Sequence, residues 1–248
     1  MWFQTLLIQP LYNIFVFLIG VVPGGDVGLA IIALTLVMRI TFYPAFAASI
    51  RTQMGMQAIQ AELDEINKKY KDDSNLRAQH TMALYKERNI RPFAGFVALL
   101  VQIPIFLALY FAFFREGLPA IDIPLLYSFV HAPATVNVQF LGFANLLQSH
   151  NIVLAAVVGG LQYLVAYFST ARTKASLAAM PKDKQAAQQM QQQMMLYFLP
   201  ALMAFASYSL LAAVGIYFAT GNIVSLGQEW VIRKQLAKKA HHVGPKSL

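Results

Sequence analysis

The chain has 248 residues, of which 58% are hydrophobic and only 12% are charged, and its formal net charge is +8. Soluble domains carry about 25% charged residues, so this composition excludes an ordinary soluble domain and is typical of a polytopic membrane protein. The sequence has no cysteine, which excludes a disulfide framework, a thiol nucleophile and a cysteine metal site.

The N-terminal segment, residues 1–26, mixes apolar residues with Gln4, Gln9 and Asn13 and ends in Pro23–Gly24–Gly25–Asp26. This pattern predicts an amphipathic helix lying in the membrane interface, followed by a turn. A sixth membrane span over the same residues is the competing interpretation.

The first predicted span covers residues 27–49 and contains Arg39. At ~1.5 Å per residue, Arg39 lies ~18 Å from Val27, inside a hydrocarbon core ~30 Å thick. A cation at that depth costs at least ~2.5–3.5 kcal/mol. Two interpretations stay open: Arg39 faces a bundle interior or a watery cavity, or it snorkels to the cytoplasmic interface. Thr35 lies four residues earlier and shares its helix face.

The long hydrophilic block, residues 50–92, has an apolar stripe at helical spacing. Its members are Ile59, Leu63, Ile66 and Tyr70. A turn signal follows at residues 71–75, and a second helical stretch covers about 76–89. The block therefore predicts a helical hairpin, which either binds a partner or is a solvated linker.

The remaining chain alternates apolar spans and loops. Arg233 opens a basic tail, and the break between the last two spans is placed at 211–215. The predicted segments are a second span at 93–114, a loop at 115–151 that follows the membrane surface, a third span at 152–170, a polar loop at 171–193, spans at 194–212 and 214–232, and a tail at 233–248.

Basic residues set the orientation of these segments. All but two of the 19 Lys and Arg residues lie in the hairpin, the 171–193 loop or the tail; the exceptions are Arg39 and Arg115. The positive-inside rule then places these three segments and the C-terminus in the cytoplasm and the N-terminus outside. The predicted fold is an all-α polytopic membrane protein with five transmembrane helices, an interfacial helix and a cytoplasmic helical hairpin.

The sequence offers little support for catalysis. It has no HExxH, GxSxG or P-loop motif, and its histidines lie in predicted loops or the tail. No Asp or Glu lies well inside a predicted span, which disfavours a proton relay. Gln102, Gln162 and Asn222 are expected to make interhelical hydrogen bonds, a common role of membrane amides, or to face a polar cavity. The sequence therefore predicts neither an enzyme nor a metal or cofactor site.

Three blocks of residues resemble the YidC/Oxa/Alb family of membrane protein insertases. The first is Thr35–Arg39 with Tyr43–Pro44. The second is Ala83–Lys86 with Pro92 and the run QIPIFLALY at 102–110, which is the most specific. The third is Met195–Pro200 with Tyr217, Asn222 and the exit from Gln228 to Arg233.

The resemblance implies a hydrophilic, positively charged groove that moves nascent transmembrane segments from the cytoplasm into the bilayer. Arg39 would be its central charge, with Thr35, Gln102, Gln162, Tyr217 and Asn222 as groove residues. The hairpin and tail would meet the ribosome, the targeting machinery or the Sec translocon. Membrane lipids are further expected partners, and DNA is not expected as a partner. Candidate contact residues there are Lys68, Lys69, Arg77, Lys238 and Lys239. The expected location is the bacterial inner (plasma) membrane.

Two other functions remain open at this point. A small transporter or anion channel would use Arg39 as its site, although the internal repeats common in transporters are not evident. A scaffold would use the hairpin to recruit partners and would not need Arg39.

Overall fold

The computed structural model describes residues 4–91, 93, 103, 106–107, 109–115, 117–170, 189–190 and 192–242. The chain is mostly helical, as predicted. The α-helices with described bounds are α1 (Gln9–Val21), α2 (Val27–Thr41), α3 (Tyr43–Ala58), α4 (Gln60–Lys69), α5 (Ser74–Glu87), α6 (Ile152–Thr170), α7 (Leu199–Ser209) and α8 (Ala212–His242). Short π-helical turns cover Gln4–Ile8, Phe111–Arg115 and Met194–Phe198, and 3-10 turns cover Pro23–Gly25 and Ile123–Leu125. Strands β1 (Gln139–Phe140) and β2 (Ala144–Asn145) pair antiparallel.

The chain divides into two compact units. The first unit contains residues 1–42, 99–163 and 199–224, and the second contains residues 43–98, 164–198 and 225–248. Each unit has its own apolar core. Fully buried side chains of the first include Tyr12, Phe15, Ile31, Leu34 and Tyr217, and the smaller second core is built on Ile59, Leu63, Leu84 and Ile90.

Membrane-spanning length can be tested on the described helices. Among them, one stretch of α6, Ile152–Ser169, is long and apolar enough to cross a bilayer. Helices α2 and α3 qualify as a second span only when they are taken together as one broken helix. The predicted second span, 93–114, lies largely outside the described residues, so the number of five spans stays a prediction.

The first predicted span is interrupted, which corrects the single helix expected over residues 27–49. Helix α2 ends at Thr41 and α3 begins at Tyr43, with Phe42 outside the helical region at φ −98° and ψ 17°. Pro44 explains the break, because it has no N–H and its ring clashes with the carbonyl of Ile40 four residues earlier. Helix α3 then runs to Ala58, inside the block assigned to the hairpin.

The break between the last two apolar helices falls at Leu210 and Leu211, at the N-terminal edge of the predicted 211–215. The first amides of α8 find acceptors in the 117–151 loop. Ala212 N donates to Gln148 O at 2.8 Å, and Ala213 N donates to Leu146 O at 3.2 Å. These bonds satisfy N–H groups that a helix start otherwise leaves without partners. At its other end α8 continues to His242, so the predicted tail at 233–248 begins as helix.

Helix α1 buries its polar face against the protein and exposes its apolar face. Asn13 is only 2% exposed. Its Nδ2 donates to Leu125 O at 2.9 Å, and its Oδ1 accepts from Tyr127 N at 2.7 Å. Gln9 donates to the same Leu125 carbonyl at 3.1 Å. The outward surface is apolar instead, with Phe17 56% exposed. The polar residues therefore attach α1 to the 117–151 loop, because a buried amide is stable only when it is hydrogen-bonded.

The same loop is attached to the start of α2. Asp26 caps α2 and is 5% exposed, and its two carboxylate oxygens accept from Gly28 N, Leu29 N and Leu141 N at 2.8, 3.1 and 2.7 Å. Beside it, Val27 N donates to Asn137 O and Asn137 N donates to Gly25 O, both at 2.9 Å. The loop is thus fixed to the first helices by main-chain and carboxylate bonds.

Two adjacent glycines permit a sharp test of this attachment. Gly24 and Gly25 have φ of +65° and +63°, so alanine is strained at both. Among the described residues, a Cβ at Gly24 meets no atom within 4 Å, whereas a Cβ at Gly25 would lie 2.1 Å from the carbonyl oxygen of Thr135. We expect Gly24→Ala to cost about 1–2 kcal/mol from backbone strain alone and Gly25→Ala to cost clearly more. Thermal unfolding of both variants in detergent measures the difference, and equal midpoints would contradict the close approach.

Helices α4 and α5 pack together in the second unit. Asp73 caps α5, accepting from Asn75 N and Leu76 N at 2.9 and 3.0 Å. The rings of Tyr70 and His80 stack with their centroids 4.3 Å apart. These local contacts and the buried Leu63 and Leu84 account for the pairing of the two helices.

Candidate functional site

Arg39 lies against helix α8 within the first unit. A Cβ built on Gly221 would be 3.4 Å from Nη2 of Arg39, so the guanidinium passes close to the α8 backbone. The guanidinium also interacts electrostatically with the Tyr217 side chain. Tyr217 and Gly221 are four residues apart and so share one face of α8. The structure therefore places the predicted central charge at the seam between α2 and α8.

The sequence of α2 explains this position. Its buried face includes Ile31, Leu34 and Met38, while Val37 is 40% exposed and Ile40 is 74% exposed. Arg39 falls between these two faces and is itself partly exposed. An amphipathic cation at such a border can keep its stem among apolar groups and its charge in a polar environment.

The two threonines near Arg39 bond to their own helices. Thr35 is 2% exposed and its hydroxyl donates to Ile31 O at 2.7 Å. On the facing helix Thr220, 9% exposed, donates to Ile216 O at 2.8 Å. Such back-bonding satisfies a buried hydroxyl within a helix. Thr35 thus lies one turn before Arg39, as predicted from the spacing, with its hydroxyl turned to the helix backbone.

The other predicted groove residues differ in their exposure. Tyr217 is 1% exposed and belongs to the core of the first unit. Asn222 follows Gly221 on α8 and is partly exposed, and Gln162 on α6 is also partly exposed. Gln102 lies outside the described residues. The structure brings Arg39 and Tyr217 together, and it adds Gly221, which the sequence reasoning missed.

The small residues that follow Tyr217 in the predicted last span could have indicated Gly221 as a site residue. It follows Tyr217 by four residues in the run Ala219–Thr220–Gly221, a spacing that places small and aromatic groups on one face. Asp26 was also missed as a functional candidate, although an acidic residue immediately before an apolar run is a helix-start signal.

The predicted partner-binding residues lie on the second unit. Lys68 and Lys69 near the end of α4 are exposed, and Arg77 on α5 is partly exposed. Lys238 on α8 is exposed, whereas the side chain of Lys239 lies outside the described residues. Among the described residues, no group of three or more His, Cys, Asp or Glu could hold a metal ion.

Comparison with known proteins places this arrangement in a family. A family model described as 60Kd inner membrane protein matches residues 18–239. A membrane protein insertase YidC from Clostridium tetani is 33% identical over 88% of this chain and 86% of its own length. One from Oceanobacillus iheyensis is 31% identical over 95% of this chain and 85% of its own length.

Longer relatives match as well. A membrane protein insertase YidC from Actinobacillus pleuropneumoniae is 26% identical over 97% of this chain, which covers only 38% of that relative. The matched region includes Arg39, Tyr217 and Gly221, and the family match covers most of the sequence. The chain belongs to the YidC/Oxa/Alb family of membrane protein insertases.

Proposed function

We propose that this protein inserts nascent transmembrane segments into the bacterial inner membrane. The observation that carries the proposal is the placement of Arg39 against Tyr217 and Gly221, in a chain whose relatives are named membrane protein insertases. In this proposal the seam between α2 and α8 forms the wall of a hydrophilic, positively charged groove. Gln102, Gln162 and Asn222 would supply further polarity, and Thr35 would lie beside the groove with its hydroxyl bonded to its own helix.

The groove would lower the cost of moving a polar segment across the bilayer. A peptide group or charge in hydrocarbon loses its hydrogen bonds to water, and a hydrated groove at half depth restores part of that solvation. The guanidinium of Arg39 would attract acidic groups of the passing segment, since it stays charged at all physiological pH values. Nucleotide hydrolysis is not part of the proposal.

The apolar part of the substrate would drive completion of insertion. Transfer of apolar surface from water releases ~25 cal/mol per Å², so a segment of transmembrane length gains far more than the groove contributes. The exposed apolar side chains beside Arg39, Val37 and Ile40, would offer a path from the groove to lipid. The groove thus lowers the energy barrier to insertion, and the hydrophobic effect makes the transfer into lipid favourable.

Orientation and partners belong to the same proposal. By the positive-inside rule, the distribution of basic residues supports an N-terminus outside and an α4–α5 pair and C-terminus in the cytoplasm. There Lys68, Lys69, Arg77, Lys238 and Lys239 would meet the ribosome, the targeting machinery or the Sec translocon. The exposed Lys68, Lys69 and Lys238 support this assignment.

Complementation tests the function. In a bacterium depleted of its own insertase, we expect this protein to restore insertion of small membrane proteins that do not use the Sec translocon. Insertion is measured by protease protection of the translocated segment. Failure of a membrane-localised, well-expressed protein to restore protection would contradict the proposal. Flux of a small anion through vesicles containing the purified protein would instead support the transporter alternative.

A further inference from the structure

A polar cluster joins the end of α6 to the middle of α8 in the second unit. Glu229 is 7% exposed, and one carboxylate oxygen accepts from Arg233 Nε at 3.0 Å and from Arg233 Nη2. The other oxygen accepts from Ser169 Oγ at 3.2 Å. Arg233 Nη2 also donates to the Phe168 carbonyl oxygen. The charges of Glu229 and Arg233 are thus matched within the cluster.

A cation and an aromatic ring lie immediately outside this matched pair. The Trp230 side chain is 64% exposed, and Nζ of Lys234 lies 5.0 Å from the centroid of its ring. Lys234 is exposed, and Lys238 is exposed one turn further along the helix. A cation over the indole face is stabilised by the ring quadrupole. This surface therefore carries the positive charge of Lys234, and the Trp230 ring helps to hold that charge in place.

An apolar cavity lies beside the same ring. It has a volume of about 280 Å³ and is lined by Phe168, Leu226, Glu229, Trp230 and Arg233. Most of the lining is apolar, because the polar ends of Glu229 and Arg233 are engaged with each other. An apolar cavity beside a tryptophan that carries the exposed cation Lys234 suits a ligand that is anionic at one end and apolar at the other.

From this arrangement we infer that Lys234, Trp230 and the adjoining cavity bind an anionic phospholipid of the cytoplasmic leaflet. The lipid phosphate contacts Lys234, and the upper acyl chain lies against Trp230, Leu226 and Phe168. Trp and Lys at the end of a membrane helix are suited to the headgroup level, and the cytoplasmic leaflet is the one rich in anionic lipid. The inference rests on the membrane orientation given under the proposed function. It concerns lipid selectivity and not insertion.

Fluorescence quenching tests the inference directly. The chain has two tryptophans, Trp2 and Trp230, so Trp2→Phe leaves Trp230 as the only reporter. The full-length variant is reconstituted into mixed vesicles of phosphatidylglycerol and phosphatidylcholine, with the acyl chains of one or the other brominated. We expect phosphatidylglycerol to occupy the site about fivefold more readily than phosphatidylcholine, the effect of roughly one basic residue near an anionic surface.

Two lysine variants provide the matched control. Lys234→Gln should lower the preference for phosphatidylglycerol over phosphatidylcholine from about fivefold to about onefold, which is no preference. Lys238→Gln, one turn away, should leave the preference near fivefold. Inorganic phosphate should not relieve the quenching, because it has no apolar part. Equal quenching by both lipids, no quenching by either, relief by phosphate, or an unchanged preference in Lys234→Gln would overturn the inference.

The insertase proposal is tested separately on the same proteins. Insertion by the Trp2→Phe protein and by Lys234→Gln is measured in the depleted bacterium, with no brominated lipid present. Loss of lipid preference with normal insertion leaves the proposed function intact. Normal preference without insertion supports the lipid site and contradicts only the proposed function.

Discussion

Arg39→Ala is expected to reduce insertion of substrates that carry an acidic residue in their translocated part by roughly tenfold or more. At an effective dielectric constant of ~20, a guanidinium ~4 Å from a carboxylate attracts it by ~4 kcal/mol, and ~1.4 kcal/mol is a factor of ten. Desolvation of both groups removes part of that attraction. Protease protection of the translocated segment in an insertase-depleted bacterium measures the effect.

Three comparisons make the Arg39 experiment specific. Arg39→Lys keeps the positive charge and should retain most of the insertion, although it loses the planar fork of donors. Arg51→Ala removes an exposed arginine of α3 and should have little effect. A substrate whose translocated part lacks acidic residues should depend less on Arg39. Equal rescue by wild type, Arg39→Lys and Arg39→Ala on the acidic substrate would show that hydration and shape of the groove suffice without its charge.

The second large effect is expected on stability, from Asp26→Ala. The Asp26 carboxylate is 5% exposed and accepts from the N–H groups of Gly28, Leu29 and Leu141. Hydrogen bonds to a charged group contribute about 1.5–3 kcal/mol each, and a buried donor left unmatched adds a further cost. We therefore expect about 3 kcal/mol of destabilisation or more, with the 117–151 loop released from the start of α2.

Asp73 offers a matched control for Asp26. It caps α5 through the same pair of bonds, to Asn75 N and Leu76 N, but it is exposed. Loss of an exposed cap costs typically about 1 kcal/mol, so Asp73→Ala should lower the unfolding midpoint in detergent by much less. Limited proteolysis locates the change, since only Asp26→Ala should expose the 117–151 loop. Equal midpoints for the two variants would contradict a tertiary role of Asp26.

Local signals in the sequence agree with the structure around α4 and α5. The stripe containing Ile59, Leu63 and Ile66 lies at the packed face of α4, and the turn signal at residues 71–75 coincides with the start of α5. Periodicity and capping act over a few residues, so they can be read from one segment. The same spacing placed Thr35 one turn before Arg39 on α2.

The physical cause of a helix end is not always visible in the sequence. The break after Thr41 follows from Pro44, so it could have been predicted from the sequence alone. The start of α8 at Ala212 lies within the predicted break at 211–215, but its cause was not visible in the sequence, because its amides bond to Gln148 and Leu146, which are distant in the sequence. A helix end can be fixed by any donor or acceptor that the fold brings to it.

The polar residues of α1 show the same limit. From the sequence, Gln9 and Asn13 marked the polar face of an interfacial helix. In the structure they are directed to Leu125 and Tyr127 in the 117–151 loop, while apolar residues such as Phe17 face outward. A pattern of polar residues predicts that one helix face is more polar than the other. It does not predict whether water or protein groups make the hydrogen bonds of that face.

By itself, the sequence determined the family, the mostly helical class, the charge asymmetry and Arg39 as the exceptional cation. These features follow from composition and from interactions within a few turns of helix. Only the tertiary structure decided that Arg39 lies against Tyr217 and Gly221, and that Asp26 attaches the 117–151 loop. Contacts between distant residues depend on how helices pack, and packing is set by the combined shape and polarity of all the faces that meet.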